Sequence, residues 1–226
     1  MLDRFKGFWQ GVVLLPVVRL FIRWGVSPDT VTFVGTIGVA AGALVFFPRG
    51  ELLIGVLVIT AFVFSDLVDG KMARELDRRS TFGSFWDSTL DRIGDGAVFG
   101  GLALYFAGPG DSYLYLCMTV YCLVMGSVTS YARAKAESLG LDARGGLAER
   151  ADRLVSILVM TGFAGIFGAD WLIYLTLWVL AAANTYTVWF RIRKVHRQAV
   201  ARDAERDAAE AGAAGGADSG PDAVSS

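Results

Sequence analysis

Four aspartates lie within otherwise apolar sequence, and they constrain the fold more than any other feature of this chain. They are Asp66, Asp69, Asp87 and Asp91, all within 26 residues. An unpaired carboxylate in an apolar interior or a bilayer costs several kcal/mol, so something must neutralise each of them. Four acids so close together therefore indicate a cation site between membrane-embedded or buried segments.

The spacing predicts that these acids project from the facing sides of two helices. The first helix carries small and acidic residues at i, i+3, i+4 and i+7, which share one face: Asp66, Asp69, Gly70 and Ala73. The second carries them at i, i+4 and i+8: Gly83, Asp87 and Asp91. A short polar connection over residues 75–82 lets the two helices run antiparallel, so the carboxylates are expected to face each other.

Carboxylates without a nearby histidine or cysteine favour hard cations, so Mg²⁺ or Mn²⁺ is expected. Two such ions held by shared acids are the usual arrangement for displacement at phosphorus. Gly70 and Gly83 then leave room for a phosphate ester to approach the backbone. Arg74, one turn beyond Gly70, can reach a phosphate oxygen.

Composition predicts an all-α integral membrane protein. Hydrophobic residues make up 54% of the chain and the net charge is −1, which argues against nucleic acid as a partner. Six runs are long or apolar enough to suggest transmembrane helices: Val31–Pro48, Leu52–Ser65, Ser84–Ala107, Ser112–Ala132, Leu154–Ala169 and Trp171–Phe190. The third run contains acids in its first half, so its mean hydropathy is lower than that of a typical transmembrane helix although it is long enough to span the membrane. We therefore expect six transmembrane helices.

The distribution of basic residues predicts the orientation in the cell membrane. Of the 21 lysines and arginines, only Arg49 lies in a connection on the side opposite the aspartates. By the positive-inside rule, both termini and the aspartate site are expected to face the cytoplasm.

Three segments are expected along the chain. Residues 1–26 place aromatic and aliphatic side chains beside Arg4, Lys6, Arg19 and Arg23, which is typical of an interfacial amphipathic helix in contact with membrane lipids. Residues 27–198 form the six-helix domain, which begins with Ser27 as an N-cap and Pro28 at the first helical position. Residues 199–226 are rich in Ala, Gly and Asp and are expected to be a disordered tail.

Basic residues also gather where three predicted helices reach the cytoplasmic side. Arg133 and Lys135 end the fourth helix, Arg150 and Arg153 begin the fifth, and the sixth ends at Arg191 and Arg193. Topology alone accounts for some of them, because cytoplasmic loops are basic in general. The alternative is a pocket for a phosphate dianion carried by a second substrate.

The aspartate pattern resembles the signature of the CDP-alcohol phosphotransferase family. The match is Asp66-x2-Asp69-Gly70-x2-Ala73-Arg74-x8-Gly83-x3-Asp87-x3-Asp91, and every fixed position agrees. The resemblance implies a membrane enzyme, usually a homodimer, that transfers a phosphatidyl group from CDP-diacylglycerol to an alcohol and releases CMP. It also implies that all four aspartates bind metal and that Asp91 acts as the general base.

The same resemblance implies contacts with CDP-diacylglycerol. A Pro-Asn/Asp-x-x-Thr element near the first helix contacts the nucleotide in this family, and the matching residues here lie at the start of the predicted domain. The implied contacts are Asp29, Thr30, Val31, Thr32, Gly70, Ala73, Arg74, Ser80 and Gly83.

The segments Tyr131–Glu137 and Gly146–Leu154 resemble the phosphatidylinositol-phosphate synthases of actinobacteria within this family. That resemblance implies myo-inositol 1-phosphate as the acceptor. Lys135, Arg153 and Arg193 would hold its phosphate, with Arg133 and Arg191 as neighbours.

Two alternatives stay open at this point. Glycerol 3-phosphate is also a phosphorylated alcohol, and its use would make the chain a phosphatidylglycerol-phosphate synthase. A transporter coupled to ions also places acids inside the membrane, although usually near the midplane.

Overall fold

The structure, a computed structural model, describes the backbone of Arg23 and of residues 25–75 and 81–217. Side chains are described for Arg23 and for residues 25–63 and 81–210. The predicted interfacial helix over residues 1–26 lies almost entirely outside this part of the chain.

The described residues form six α-helices and one 3₁₀ turn, which confirms the predicted all-α fold for this part of the chain. Each predicted apolar run overlaps one helix. In chain order the helices are α1 (Pro28–Phe46), α2 (Leu52–Glu75), α3 (Thr81–Ala107), α4 (Tyr113–Ser138), α5 (Arg150–Phe167) and α6 (Trp171–Ala217). The 3₁₀ turn Phe47–Arg49 follows α1.

The start of α1 agrees with the predicted cap. The Ser27 hydroxyl accepts a hydrogen bond from the Thr30 amide at 3.2 Å, and Pro28 opens the first turn. This bond satisfies one of the amides that a helix start leaves without a partner, which fixes where α1 begins.

The helices pack in a ring in which each contacts mainly two others. Around the ring the order is α1, α3, α4, α6, α5, α2 and back to α1. Helices that follow each other in the chain run in opposite directions, so the loops lie at the two ends of the bundle. We call the end that holds the starts of α1, α3 and α5 the charged end, and the other the aromatic end.

The apolar core lies toward the aromatic end. Phe47 and Phe106 are each 1% exposed there, and the Tyr115 and Tyr174 rings stack with centroids 3.8 Å apart. The Tyr105 hydroxyl donates to the Asp170 carboxylate at 2.8 Å and joins α3 to the start of α6. Large apolar side chains also cover much of the outer surface, including Leu57, Trp171 and Trp178.

Three described helices are long and apolar enough to cross a membrane by length and composition: Pro28–Arg49, Tyr113–Ser138 and Trp171–Glu210. Leu52–Val63 is a shorter apolar helix of the same kind. These apolar helices are consistent with a membrane protein.

The C-terminal helix extends further than the sequence analysis expects. The composition predicts a disordered tail from residue 199, whereas α6 continues to Ala217. Alanine favours helix, and Arg206 lies 3.6 Å from Glu210 at i,i+4, which adds support to an exposed helix. Arg202 also donates to the Leu139 carbonyl at 2.8 Å, so this extension contacts the loop before α5.

Candidate active site

The charged end contains a cluster of acids and arginines between α3 and α5. Arg150, the first residue of α5, reaches across to α3, where its Nη1 lies 2.9 Å from Oδ1 of Asp91. Its Nε donates to Oδ1 of Asp95 at 3.1 Å. One guanidinium therefore binds two carboxylates that lie one turn apart on α3.

Asp95 is the most buried acid of this cluster, at 6% exposure. Besides Arg150, its carboxylate lies 3.4 Å from Nη2 of Arg92 and 3.7 Å from Nη2 of Arg153. Arg92 also donates to the Ser130 hydroxyl on α4. Asp95 is thus the anion around which three guanidinium groups of α3 and α5 are arranged.

Arg153 is 2% exposed, which is unusual for an arginine. Its Nη1 donates to the Ala148 carbonyl at 3.4 Å, while its Nη2 has no hydrogen-bond acceptor among the described residues. Gly126 on α4 makes this position possible, because a Cβ there would lie 3.1 Å from the Arg153 Nε.

Arg191 on α6 is also buried, at 3% exposure. It donates to the Thr129 carbonyl at 2.6 Å and to the Gly145 carbonyl at 3.2 Å. Gly146 follows with φ of 124°, a conformation that favours glycine, and a Cβ there would overlap the side chain of Thr187. Arg191 and Thr187 therefore hold the loop between α4 and α5 against α6.

These side chains surround a cavity of about 860 Å³, which we call the arginine cavity. Its charged lining residues come from α3, α4, α5 and α6 and from the residue before α5: Asp91, Arg92, Arg133, Glu137, Glu149, Arg150, Arg153 and Arg191. Five of these are arginines, and Glu137 is engaged by Arg133 at 3.0 Å. The cavity thus presents an excess of positive charge, which suits an anionic ligand.

A second, narrower cavity of about 30 Å³ lies on the other side of the Asp91–Arg150 pair. Thr32 and Thr36 of α1 line it together with Val63 of α2 and both members of that pair. Nearby, the Trp86 indole donates to the Asp29 carbonyl at 3.3 Å, which joins the start of α1 to α3. The Ser27–Thr32 segment therefore lies beside the helix that carries Asp87 and Asp91.

Of the four predicted metal ligands, only Asp87 and Asp91 have described side chains. Asp87 is exposed and lies one turn before Asp91. Asp66 and Asp69 lie in the last turns of α2, as do Gly70, Ala73 and Arg74, but their side chains are outside the described part. Ser80 lies outside it entirely. Among described side chains, no three histidines, cysteines or acids form a metal site.

The residues present nevertheless fit a divalent metal. Two carboxylates one turn apart on α3 offer oxygen ligands and no soft donor, which is the chemistry that Mg²⁺ and Mn²⁺ prefer. Both α2 and α3 pack against α1, and only five residues separate the end of α2 from the start of α3. The backbone therefore brings both acidic segments to the charged end.

The structure brings together some of the predicted phosphate-binding residues and separates others. Arg133, Arg153 and Arg191 line the arginine cavity. Lys135 is exposed and does not line it, and Arg193 stacks over the Trp189 ring at 4.3 Å on the outer side of α6. Residues two apart on a helix point to nearly opposite faces, which explains both separations.

Asp95 is not among the predicted site residues, and Arg150 is predicted only as one of several basic residues near the cytoplasmic side; in the structure the two complete the cluster. A signal was available, because Asp95 follows Asp91 by four residues inside an apolar run and so continues the face of Asp87 and Asp91. A buried acid of this kind requires a cationic partner. The identity of that partner, 55 residues away, could not be read from spacing.

Comparison with known proteins places this geometry in a family. The profile of the CDP-alcohol phosphatidyltransferase family matches residues 25–189. The chain belongs to this family and is a transferase, as the aspartate motif predicts, which favours the enzyme over the transporter.

Relatives with the name phosphatidylinositol phosphate synthase cover most of the chain. The protein of Streptomyces avermitilis is 49% identical over 217 residues, which is 93% of this chain and 89% of that protein. The protein of Cutibacterium acnes is 52% identical over 166 residues, which is 74% and 80% of the two chains.

Two crystal structures of the Mycobacterium tuberculosis phosphatidylinositol phosphate synthase have the same fold. The one with CDP-DAG bound gives a TM-score of 0.77 at 39% identity and covers 81% of this chain and 93% of that chain. The one with manganese and citrate gives 0.76 at 38% identity and covers 81% and 88%. CDP-alcohol phosphotransferases use Mg²⁺ or Mn²⁺, which agrees with the cofactor expected from the carboxylates.

Proposed function

We propose that this chain joins CDP-diacylglycerol to myo-inositol 1-phosphate and produces phosphatidylinositol phosphate and CMP. A hydroxyl oxygen of the inositol forms a bond to the phosphorus of the phosphatidyl group. The bond between that phosphorus and the CMP oxygen breaks, and the hydroxyl proton passes to Asp91. The names and coverage of the relatives support this reaction.

One structural observation supports a phosphorylated acceptor over an unphosphorylated one. The buried Nη2 of Arg153 lacks a hydrogen-bond acceptor among the described residues, and Arg153 lines the same cavity as Asp91. Asp95 lies 3.7 Å from this nitrogen, too far for a hydrogen bond, and a buried guanidinium nitrogen without an acceptor is costly, so a phosphate oxygen would satisfy it. An uncharged alcohol could accept a hydrogen bond there but would bring no negative charge to a cavity lined by an excess of arginines.

The acceptor would enter through the arginine cavity. Its phosphate would bind Arg153, with Arg133 and Arg191 on the same wall, while its hydroxyl would approach Asp91. Lys135 and Arg193 lie on outer helix faces in this structure. Their contact with the phosphate therefore stays a prediction.

The donor would lie on the other side of Asp91, near the start of α1. Asp29, Thr30, Val31 and Thr32 are proposed contacts for the CDP group, and the Trp86–Asp29 hydrogen bond fixes their position relative to α3. The remaining proposed contacts belong to the motif and its connection: Gly70, Ala73, Arg74, Ser80 and Gly83.

We propose that Asp66, Asp69, Asp87 and Asp91 together hold two Mg²⁺ or Mn²⁺ ions. When bound, these ions supply positive charge that stabilises the diphosphate and the departing CMP. Asp69→Asn should raise the metal concentration needed for half-maximal activity, since a charged ligand is lost. An unchanged metal requirement would contradict the assignment.

The acceptor is tested with purified protein, CDP-diacylglycerol and Mg²⁺ or Mn²⁺. Inositol 1-phosphate, free inositol, glycerol 3-phosphate and serine are supplied in parallel, and CMP and lipid products are measured. Inositol 1-phosphate should give the highest kcat/KM by a wide margin. Preference for glycerol 3-phosphate would identify a phosphatidylglycerol-phosphate synthase instead, and preference for an acceptor without phosphate would refute the phosphate pocket.

We also propose that residues 27–198 span the membrane six times as a homodimer, with residues 1–26 at the interface and the charged end in the cytoplasm. The topology is tested by cysteine labelling in a Cys117→Ser, Cys122→Ala background. Ser112→Cys should react with an impermeant thiol reagent on intact cells, and Arg144→Cys only after lysis. The opposite result would invert the topology. Chemical cross-linking in membranes tests the dimer.

A further inference from the structure

Asp95 lies where the start of α5 meets α3, but outside the aspartate motif. It follows the last motif aspartate by four residues and is 6% exposed. Its Oδ1 accepts from Arg150 and its Oδ2 faces Arg92 and Arg153, so both carboxylate oxygens are directed at arginines. It does not line the arginine cavity, so it is placed to act through these arginines.

The arginines around Asp95 are close enough to repel one another. Two of them, Arg150 and Arg153, begin α5 and share one helix face at i and i+3. Asp95 is the only described carboxylate within 4 Å of Arg153. Without this anion, the buried guanidinium of Arg153 would lose its compensating charge and be driven away from its neighbours.

We propose that Asp95 is a positioning residue for the acceptor phosphate. Its buried carboxylate holds Arg150 and Arg153 so that their remaining donors face the cavity in the geometry that a phosphate requires. The inference rests on the proposed function, because it assumes a phosphorylated acceptor in the arginine cavity.

The geometry favours this role over a purely structural one. Asp95 accepts a hydrogen bond from Arg150 Nε but lies 3.7 Å from Arg153 Nη2, which makes no hydrogen bond among the described residues, so the Nη2 protons of Arg153 are left for a ligand. The same guanidinium of Arg150 also binds Asp91 through its Nη1. Asp95, which holds it through Nε, therefore limits how far the guanidinium can move toward Asp91, the proposed general base. A side chain that only held α3 to α5 would not affect the two substrates differently.

The test is steady-state kinetics of Asp95→Asn with each substrate varied in turn. The amide keeps the shape but loses the charge, so we expect the KM for inositol 1-phosphate to rise about tenfold or more, as for a broken buried charge pair. The KM for CDP-diacylglycerol should stay within about twofold, since the proposed donor contacts do not touch Asp95. An unchanged acceptor KM, or equal shifts in both, would overturn the proposal.

The combination with Arg153→Ala tests whether Asp95 acts through the arginine. If it does, the double variant should lose less acceptor affinity than the product of the two single losses. A loss equal to that product would overturn the proposed route.

Asp170→Asn is the matched control, because Asp170 is a carboxylate hydrogen-bonded to the same helix α3 at the aromatic end. It should leave the acceptor KM unchanged. If Asp95→Asn does not fold, Asp95→Glu carries the test: it keeps the charge and should raise only the acceptor KM, by a few-fold, whereas equal shifts in both KM values would refute the role. Lack of inositol 1-phosphate turnover in the parent protein would instead refute the proposed function.

Discussion

The two ends of helix α3 differ in how they hold their polar groups. At the aromatic end, Tyr105 donates to Asp170, and Phe106 is buried against Tyr115 and Tyr174. At the charged end, the acids of the same helix face several arginines, one of which, Arg153 on α5, is almost fully buried. One helix thus joins an apolar core to a cluster of charges.

This difference separates stability from function within the bundle. Burial of aromatic surface at one end stabilises the fold, whereas buried ion pairs contribute little net stability because desolvation offsets their attraction. Apolar residues would fill the charged end at lower cost, so its charges indicate a functional requirement. Substitutions at the charged end should mainly change catalysis, and those at the aromatic end should mainly change stability.

The largest effect is expected for Asp91→Asn. The amide keeps the shape of the side chain but cannot accept the hydroxyl proton, and a general base contributes about 10²- to 10⁴-fold to a rate. We expect kcat to fall by at least that factor while the thermal unfolding temperature stays close to that of the parent.

Tyr105→Phe provides the contrasting variant at the aromatic end. It removes the hydrogen bond to Asp170 and should lower the unfolding temperature with kcat nearly intact. If Asp91→Asn kept near-normal turnover, or if Tyr105→Phe lost turnover while stable, the proposed separation between the two ends would be wrong.

The second largest effect is expected for Arg153→Ala. Loss of a buried guanidinium that binds a phosphate costs about 2 to 5 kcal/mol. This corresponds to roughly a 30-fold or greater rise in the KM for inositol 1-phosphate. Arg153→Lys should recover only part, because an ammonium keeps the charge without the forked geometry.

Arg144→Ala is the control for Arg153. Arg144 lies in the loop just before α5, but its side chain is 73% exposed and does not line the arginine cavity. If the two variants had the same kinetics, the phosphate pocket would be refuted. The basic residues near the start of α5 would then only reflect the orientation of the chain in the membrane.

The sequence predicts those features that depend on local pattern. The start of α1 follows from the capping chemistry of Ser27, and the helices follow from apolar runs. The family follows from the aspartate spacing. Features that depend on distant contacts were not predictable in this way: Asp95 and Arg150 are 55 residues apart, and the position of Arg153 depends on Gly126 on another helix. Helical periodicity alone could have warned that Arg191 and Arg193 do not share a face.

A smaller effect is expected for Gly126→Ala. The added methyl group would lie 3.1 Å from the Arg153 Nε, so the guanidinium must shift by a few tenths of an ångström. We expect a rise of about two- to fivefold in the acceptor KM, because hydrogen-bonded ion pairs depend on geometry. Gly100→Ala on α3, where a Cβ meets nothing within 4 Å, should leave this KM unchanged. Equal effects of the two variants would mean that the fit around Arg153 does not matter.

The smallest effect concerns the loop that covers the charged end. The Asp142 carboxylate accepts from Lys194 at 2.7 Å, and this hydrogen bond holds the pKa of Asp142 below its ordinary value near 4. A lowered pKa means that the contact is fully present above about pH 4 and is lost as the pH falls through the lowered pKa. Hydrogen exchange of the amides in residues 139–149, corrected for intrinsic rates, should therefore be constant from neutral pH to about 5 and faster only below about 4. Asp142→Asn should remove this step with little change in kcat, because solvent screens an exposed ion pair. A step centred near neutral pH, or one that persists in Asp142→Asn, would show that another group holds the loop against α6.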